Sequence, residues 1–381
     1  MLDFVTNRRI LVGEGALQEL PDVLSWYRKS KVFLSVFDRN AACVKKVTEL
    51  LGKAGFEFVL YDKIVSEPDL DVVDQGASLC KGSGCDAVVA IGGGSVIDTS
   101  KTISMLATNG GCTEDYQLNG KAVTQIPLLF VAVPTTAGTG AEATKVSVIY
   151  NAKKGFKKAL YHNSMIAEVA ILDPETTVGL PGRVTAATGM DAITHAVESY
   201  VSNNANVISR MYSLKALKLL ADNIRTAYRE PGNLEARANM LLGSYFAGCA
   251  ISAGTTLAHI VGQPLGAVYH IPHGDSCTIF LIPSMKLNLK YCTQGYCDVA
   301  KVLGVNPSGK TDEELALAGI DVLDRIRRDI GAPVSLTPYV SRGKFDMEMM
   351  LDNIQTSMGH IKTNPRPVNR ELFRELIEQC F

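Results

Sequence analysis

Between about residues 30 and 175, short apolar runs alternate with stretches whose apolar residues recur at spacings of three and four. KVFLSVFD, FEFVLYD and AVVAIGG read as strands, with ACVKKVTELLGKAG and DVVDQGASLCKGSG as the helices between them. PLLFVAVP is a further buried strand, ending at Pro134. This alternation predicts a parallel sheet wound with helices, a class that binds ligands at the carboxyl ends of its strands. After LPGRVTAATG the texture changes. SRMYSLKALKLLADNIRTAYRE and DEELALAGIDVLDRIRRDIG carry helical periodicity with few strand-like runs between them. The pattern therefore predicts an α/β domain over residues 1–180 and an all-helical domain over 181–381. No repeat or low-complexity segment interrupts either, and pieces such as NPSGKTDE are short loops.

Composition narrows the function classes. A chain of 381 residues with 46% hydrophobic and 20% charged residues suits two domains with sizeable cores. Its 38 basic and 39 acidic residues leave a net charge of -1, which gives no electrostatic reason to expect nucleic acid or an anionic membrane. A small-molecule partner is expected instead. The nine cysteines are an odd set without a CxxC pair, and they read as reduced, mostly buried thiols. MLDFVTNRRILVGEG has no apolar stretch after a basic start, and no apolar run approaches the roughly 20 residues that cross a bilayer. The expected location is cytoplasmic.

Candidate chemistry begins where the strands end. In AVVAIGGGSVIDTSK a buried strand runs through Gly92, Gly93, Gly94 and Ser95 into a helix. That arrangement is either a tight strand-to-helix turn or a place where backbone N–H groups and the positive helix end meet a pyrophosphate. The spacing is not GxGxxG, so the ordinary Rossmann fingerprint is absent. VPTTAGTGAEAT follows the next strand and offers the hydroxyls of Thr135, Thr136 and Thr139. Two small-residue polar loops at strand ends suit one extended, phosphate-bearing cofactor. Asp38 closes KVFLSVFD and is either a turn residue or an acceptor for a ribose diol, whose charge would repel a 2′-phosphate.

The helical half carries a different chemistry. TAATGMDAITHAVESY sets Asp191 and His195 four apart, on one face of a helix. LAHIVGQPLGAVYHIPHG then crowds His259, His270 and His273 into one stretch of a chain with six histidines. His259 and His273 lie fourteen positions apart, but Gly262, Pro264, Gly266 and Pro272 predict a broken path that turns back between them. One carboxylate and three imidazoles form a mixed N/O set suited to Fe²⁺ or Zn²⁺ with room for a substrate oxygen. A structural zinc site would recruit cysteine, and none stands in a ligand pattern with these residues, so a catalytic ion is expected.

GGGSVIDTSK, PTTAGTGAEAT, GMDAITHAVE and AHIVGQPLGAVYHIPHG, in that order and spacing, resemble the iron-containing (group III) alcohol dehydrogenase family. The likeness extends from the strand ending in Asp38 to the TNPRPV element near the C-terminus. It implies an N-terminal dinucleotide-binding domain with a parallel sheet, an all-α C-terminal domain in a dehydroquinate synthase-like architecture, and a divalent ion, Fe²⁺ before Zn²⁺. By the same resemblance the ligands map onto Asp191, His195, His259 and His273. Gly93, Gly94, Ser95, Thr135 and Thr136 map to the pyrophosphate of NAD(H), Asp38 to the adenosine ribose, and Lys157 to the nicotinamide side. His270 is left over, as a residue behind the ligands or one that handles protons.

Three positions depart from the family pattern. Val96 stands where proline is usual, Ala141 where serine is usual, and Gln263 where many members have a histidine close to the reacting carbon. A glutamine donates and accepts hydrogen bonds but does not titrate near neutral pH. The resemblance implies an NAD-dependent, metal-containing alcohol dehydrogenase working as an aldehyde reductase, in a homodimer or larger homo-oligomer. Thr255, Thr256, Gln263 and His270 make the surroundings of the third ligand polar, which favours a short aldehyde with a polar or anionic tail. The alternatives are a broad-specificity alcohol dehydrogenase and, from another class, a dehydroquinate synthase-like lyase. The lyase would bring basic residues to the metal motifs, and Leu257 to Ile279 contains no lysine or arginine.

Overall fold

The computed structural model describes residues 2–64, 68–154, 156–356 and 362–381. The chain divides into two compact units, Met1–Val178 and Gly179–Phe381. In the first, strands and helices alternate as β1 (Arg9–Val12), α1 (Leu20–Trp26), β2 (Lys31–Val36), α2 (Ala42–Lys53), β3 (Glu57–Tyr61) and α3 (Leu70–Gly82). The alternation continues with β4 (Ala87–Gly92), α4 (Gly94–Asn109), α5 (Thr113–Gln117), β5 (Leu129–Pro134), β6 (Val146–Asn151), β7 (Phe156–Tyr161) and β8 (Val169–Leu172).

Six strands form one parallel sheet in the order β1-β8-β5-β4-β2-β3, and β6 pairs with β7 in a separate antiparallel hairpin. The central strands are apolar on both faces because helices cover both. Val89 and Ile91 of β4 pack in the cluster with Leu24 of α1 and Val47 of α2, whereas Val88 and Ala90 join Val73 of α3 and Ile103 of α4. From β2 the chain crosses to β3 on one side, and from β4 to β5 on the other. The reversal lies between β2 and β4, so the loops that follow these two strands flank the crevice where such sheets bind ligands. One holds Asp38 and the other Gly93.

The second unit is helical among its described residues: α6 (Gly182–Val201), α7 (Val207–Arg229), α8 (Leu234–Ala250), α9 (Leu257–Tyr269) and α10 (His273–Asn288). It continues through α11 (Thr293–Val302), α12 (Asp312–Asp329), α13 (Met347–Thr356) and α14 (Arg370–Glu378). From Gly189 to Val201 every residue of α6 is buried, as expected of a helix surrounded by others. Among the described residues no single helix is long and apolar enough to cross a membrane.

The path between His259 and His273 differs from expectation. Gly262, Pro264 and Gly266 do not break it, and α9 runs through all three to Tyr269. Burial of Leu257, Val261 and Leu265 in an apolar cluster holds this helix together despite the N–H that Pro264 lacks. The turn comes later, over three residues. His270 ends α9 in the left-handed conformation (φ 52°, ψ 34°), Ile271 is buried, and Pro272 caps α10. His273 is thus the first residue of α10.

Candidate metal centre and nucleotide loops

Asp191 and His195 lie one turn apart on α6, His259 sits in the first turn of α9, and His273 opens α10. All four converge. The Oδ1 atom of Asp191 is 3.8 Å from Nε2 of His195 and 3.5 Å from Nε2 of both His259 and His273. The His195 and His259 rings stack with centroids 4.4 Å apart, and those of His259 and His273 are 5.4 Å apart. Asp191, His195 and His259 are buried, while the His273 side chain is 35% exposed, so the cluster opens on the His273 side. Among the described residues Asp191 Oδ1 and His259 Nε2 have no hydrogen-bond partner. A buried acceptor and imidazole nitrogens aimed at one point from three helices suit a divalent cation.

Two further residues belong to this cluster that the sequence pattern did not single out. Glu198, one turn beyond His195 on α6, accepts a hydrogen bond from Nδ1 of His259 at 2.5 Å. Its other oxygen accepts from the Thr256 hydroxyl at 2.8 Å and the Ala258 N–H at 2.7 Å, in the first turn of α9. One carboxylate therefore seats the helix and orients the imidazole, leaving Nε2 free to face Asp191. Cys277, fully buried on α10 one turn after His273, corrects the expectation that no cysteine attends the site. Its sulfur lies 3.8 Å from Nε2 of His273, and a ligand atom from each of Asp191, His259, His273 and Cys277 falls within 4.8 Å of the others. The signal was present in the spacing: a helix brings i+3 and i+4 onto one face.

Electrostatics fit a cation. Burial raises the carboxyls of Asp191 and Glu198, but the neighbouring imidazoles, and for Glu198 the hydroxyl and N–H donors, outweigh it and hold both below the usual range. Burial pushes His195 down to about 4 despite Asp191, so it is a neutral donor near pH 7. Burial also opposes protonation of His259, yet Cys277, Glu198 and Asp191 carry it well above the ordinary imidazole value, and Cys277 and Asp191 do the same for His273. The cluster concentrates buried negative charge that positive charge must balance, from protons or a metal ion.

The remaining predicted residues lie elsewhere. Gln263 is half-buried on α9, one turn beyond His259, and His270 is exposed at that helix's end. In the first unit, Gly93 caps α4 with no side-chain cap; the Val96 N–H donates to the Gly93 carbonyl at 3.1 Å, which leaves those of Gly94 and Ser95 for a ligand. The glycine and threonine loops sit back to back. A Cβ on Gly93 would lie 3.2 Å from Oγ1 of Thr136, and one on Gly94 would lie 2.6 Å from Cγ2 of Thr139. The Thr135 N–H donates to the Gly92 carbonyl, continuing the sheet into this loop, and Ser95 follows in the first turn of α4. Fully buried Lys101 braces the far side of that helix, donating to the Thr144 hydroxyl at 2.9 Å and the Val146 carbonyl at 2.6 Å. Asp38 is exposed beyond β2 and accepts the Asn40 N–H at 2.9 Å, so it does form a turn. Lys157 lies on β7, opposite Tyr150 in the hairpin.

Family models of the iron-containing alcohol dehydrogenases match residues 7–174, and of their C-terminal domain residues 185–381. The chain belongs to the iron-containing alcohol dehydrogenase family. It is 36% identical to long-chain-alcohol dehydrogenase 1 of Geobacillus thermodenitrificans over 332 residues, 85% of this chain and 83% of that protein. A crystal structure of a 1,3-propanediol oxidoreductase superposes with a TM-score of 0.95 at 31% identity, covering 100% of both chains. Sulfoacetaldehyde reductase from Bifidobacterium kashiwanohense, solved in complex with NAD⁺, is similar at a TM-score of 0.90 and 27% identity, covering 100% of this chain and 99% of that one. The oxidoreductase chemistry of the family thus comes with a buried carboxylate and three imidazoles in this member.

Proposed function

We propose that this iron-containing alcohol dehydrogenase is an NAD(H)-dependent reductase of a short aldehyde with a polar or anionic tail. The observation that carries the redox reading is the single carboxylate oxygen of Asp191 faced by three imidazole nitrogens in a buried cluster. In this reading Asp191, His195, His259 and His273 hold a divalent ion, which acts when bound as a Lewis acid on the substrate oxygen. NAD(H) supplies or takes the hydride. Glu198 keeps the His259 proton on Nδ1, so that Nε2 presents its lone pair. The N–H groups at Gly93, Gly94 and Ser95 and the hydroxyls of Thr135, Thr136 and Thr139 take the pyrophosphate, and Lys157 serves the nicotinamide side. Gln263 orients substrate by hydrogen bonding, and His270, exposed to solvent, exchanges the proton. A cytoplasmic homodimer or larger homo-oligomer completes the proposal, on the strength of the family resemblance.

Asp38 assigns the cofactor. Its carboxylate takes a ribose diol and repels a 2′-phosphate, so NADH is preferred over NADPH. Replacing it by Gly, or by Asn to retain an acceptor for the Asn40 N–H, improves NADPH use by roughly tenfold, the value of about 1.4 kcal/mol of removed repulsion. Steady-state kcat/KM with both cofactors measures this; a wild type that already prefers NADPH sinks the assignment.

The substrate class rests on polar residues near His259. Thr256 is spent on Glu198, which leaves Thr255 and Gln263, each four positions from His259 in sequence, and His270 further along. A site with hydrogen-bonding groups to satisfy discriminates against a ligand that leaves them unpaired. The test is kcat/KM with NADH and added Fe²⁺ or Zn²⁺ for sulfoacetaldehyde, phosphonoacetaldehyde, succinic semialdehyde and 3-hydroxypropionaldehyde against propanal and butanal. At least one polar aldehyde should exceed both alkyl ones. Equal or better alkyl substrates would leave a broad-specificity alcohol dehydrogenase, a reading that the likeness to a long-chain-alcohol dehydrogenase favours.

A further inference from the structure

We infer that Cys277 is itself a ligand of the metal ion, joining Asp191, His259 and His273 in a sulfur-containing donor set that favours Zn²⁺ over Fe²⁺. This rests on the metal-centre reading and goes beyond it, because that reading uses only nitrogen and oxygen donors.

The four donor atoms gather in one small volume. With bonds of about 2.0–2.1 Å to nitrogen and oxygen and about 2.3 Å to sulfur, a tetrahedral zinc site has donor-to-donor edges of roughly 3.3–3.6 Å. Three of the six edges here are 3.5 Å for Asp191 to His259, 3.5 Å for Asp191 to His273 and 3.8 Å for the Cys277 sulfur to Nε2 of His273, and all four donor atoms lie within 4.8 Å of one another. Cys277 thus stands as close to its neighbour as His195 does to Asp191, also 3.8 Å. Asp191 Oδ1 and His259 Nε2, both in buried side chains, point into the same space without hydrogen-bond partners among the described residues. Gly262 makes the room. A Cβ there would meet the Cys277 sulfur at 3.3 Å, so any side chain at that position would crowd the sulfur.

Binding replaces the S–H bond by an S–metal bond and releases the proton to solvent. Thiolate is a soft donor, which shifts preference from iron to zinc. Cys277 takes the position that the proposed function gives to His195, which lies 3.8 Å from Asp191, and a substrate oxygen is then the fifth donor, an expansion that zinc accepts.

Cobalt reads the ligand directly. The full-length protein, stripped by chelation, is titrated with Co²⁺ and followed by absorption. Visible d–d bands report binding whatever the donors, whereas a near-ultraviolet charge-transfer band requires bound thiolate. The wild type should show both, and Cys277→Ser and Cys277→Ala should keep the visible bands and lose the charge-transfer band. In anaerobic competition between Zn²⁺ and Fe²⁺, Cys277→Ser should lose about tenfold or more of the zinc preference, the scale of effect for disturbing a metal site's immediate surroundings. Visible bands without charge transfer in the wild type would refute ligation by Cys277 and leave the metal centre standing. A charge-transfer band that survives both substitutions assigns the sulfur to another cysteine and equally overturns ligation by Cys277. Failure of the wild type to bind cobalt at all overturns the metal centre and this inference together.

Discussion

His259→Ala should lose bound metal and lower turnover by about a thousandfold or more, the several kcal/mol of charge stabilisation that a Lewis acid supplies. Among the histidines of the cluster this ring has the most connections. One nitrogen faces Asp191 at 3.5 Å, the other donates to Glu198 at 2.5 Å, and its plane stacks on His195. Removing it takes a ligand from the ion and a partner from a buried carboxylate at once. Glu198 keeps Thr256 and Ala258, so the fold should survive with a loss of about 1–3 kcal/mol. Metal content, kcat and circular dichroism separate the two effects. Prolonged chelation of the wild type should reproduce the loss of turnover with the fold intact. Full activity in a metal-free preparation of the variant would remove the Lewis-acid mechanism.

Gly274→Ala should be the most damaging single methyl group in the helical unit. An ideal Cβ there lies 2.3 Å from the Ala187 carbonyl oxygen and 2.8 Å from its carbon. Both atoms are backbone, so no side chain can rotate away, and α10 or α6 must shift. The contact sits at the site: Gly274 follows His273, and Ala187 precedes Asp191 by one turn of α6. The helix start is anchored as well, since Asp275 accepts the Tyr339 hydroxyl at 2.8 Å and pairs with Arg183. Overpacking of this kind costs about 1–3 kcal/mol, and here the strain falls on the His273–Asp191 spacing. The expected result is a lower Tm together with substoichiometric metal. Gly232→Ala is the control, because nothing lies within 4 Å of the Cβ it would carry. Wild-type Tm and metal content in Gly274→Ala would show that the two helices are not held at this spacing.

The parts of this protein legible in the sequence are those set by local periodicity. Continuous apolar runs such as AVVAIGG marked strands covered on both faces, because only a sheet with helices on both sides buries such runs completely. The four-residue spacing of Asp191 and His195 placed both on one helix face for the same kind of reason. The first strand and the hairpin were harder to read. RILV of β1 is only four residues long and, though three of them are apolar, largely exposed, and the β6–β7 hairpin lies outside the main sheet.

Other features were decided by packing. Pro264 argued for a break that burial of α9 overrode, moving the turn to His270–Pro272. Asp38 makes its turn through a local hydrogen bond, and only the strand order, with its reversal between β2 and β4, puts that turn beside the glycine loop. The cluster shows the division most clearly. Sequence alone supplied one carboxylate and three histidines on separate segments and determined which pairs share a helix face. Tertiary structure brought α6, α9 and α10 to a common point, and with them came Glu198 behind His259 and Cys277 beside His273. Helical spacing set each on the face of a named histidine, Glu198 three residues after His195 and Cys277 four after His273, but only the meeting of the helices decides which residues of such a face reach the common point.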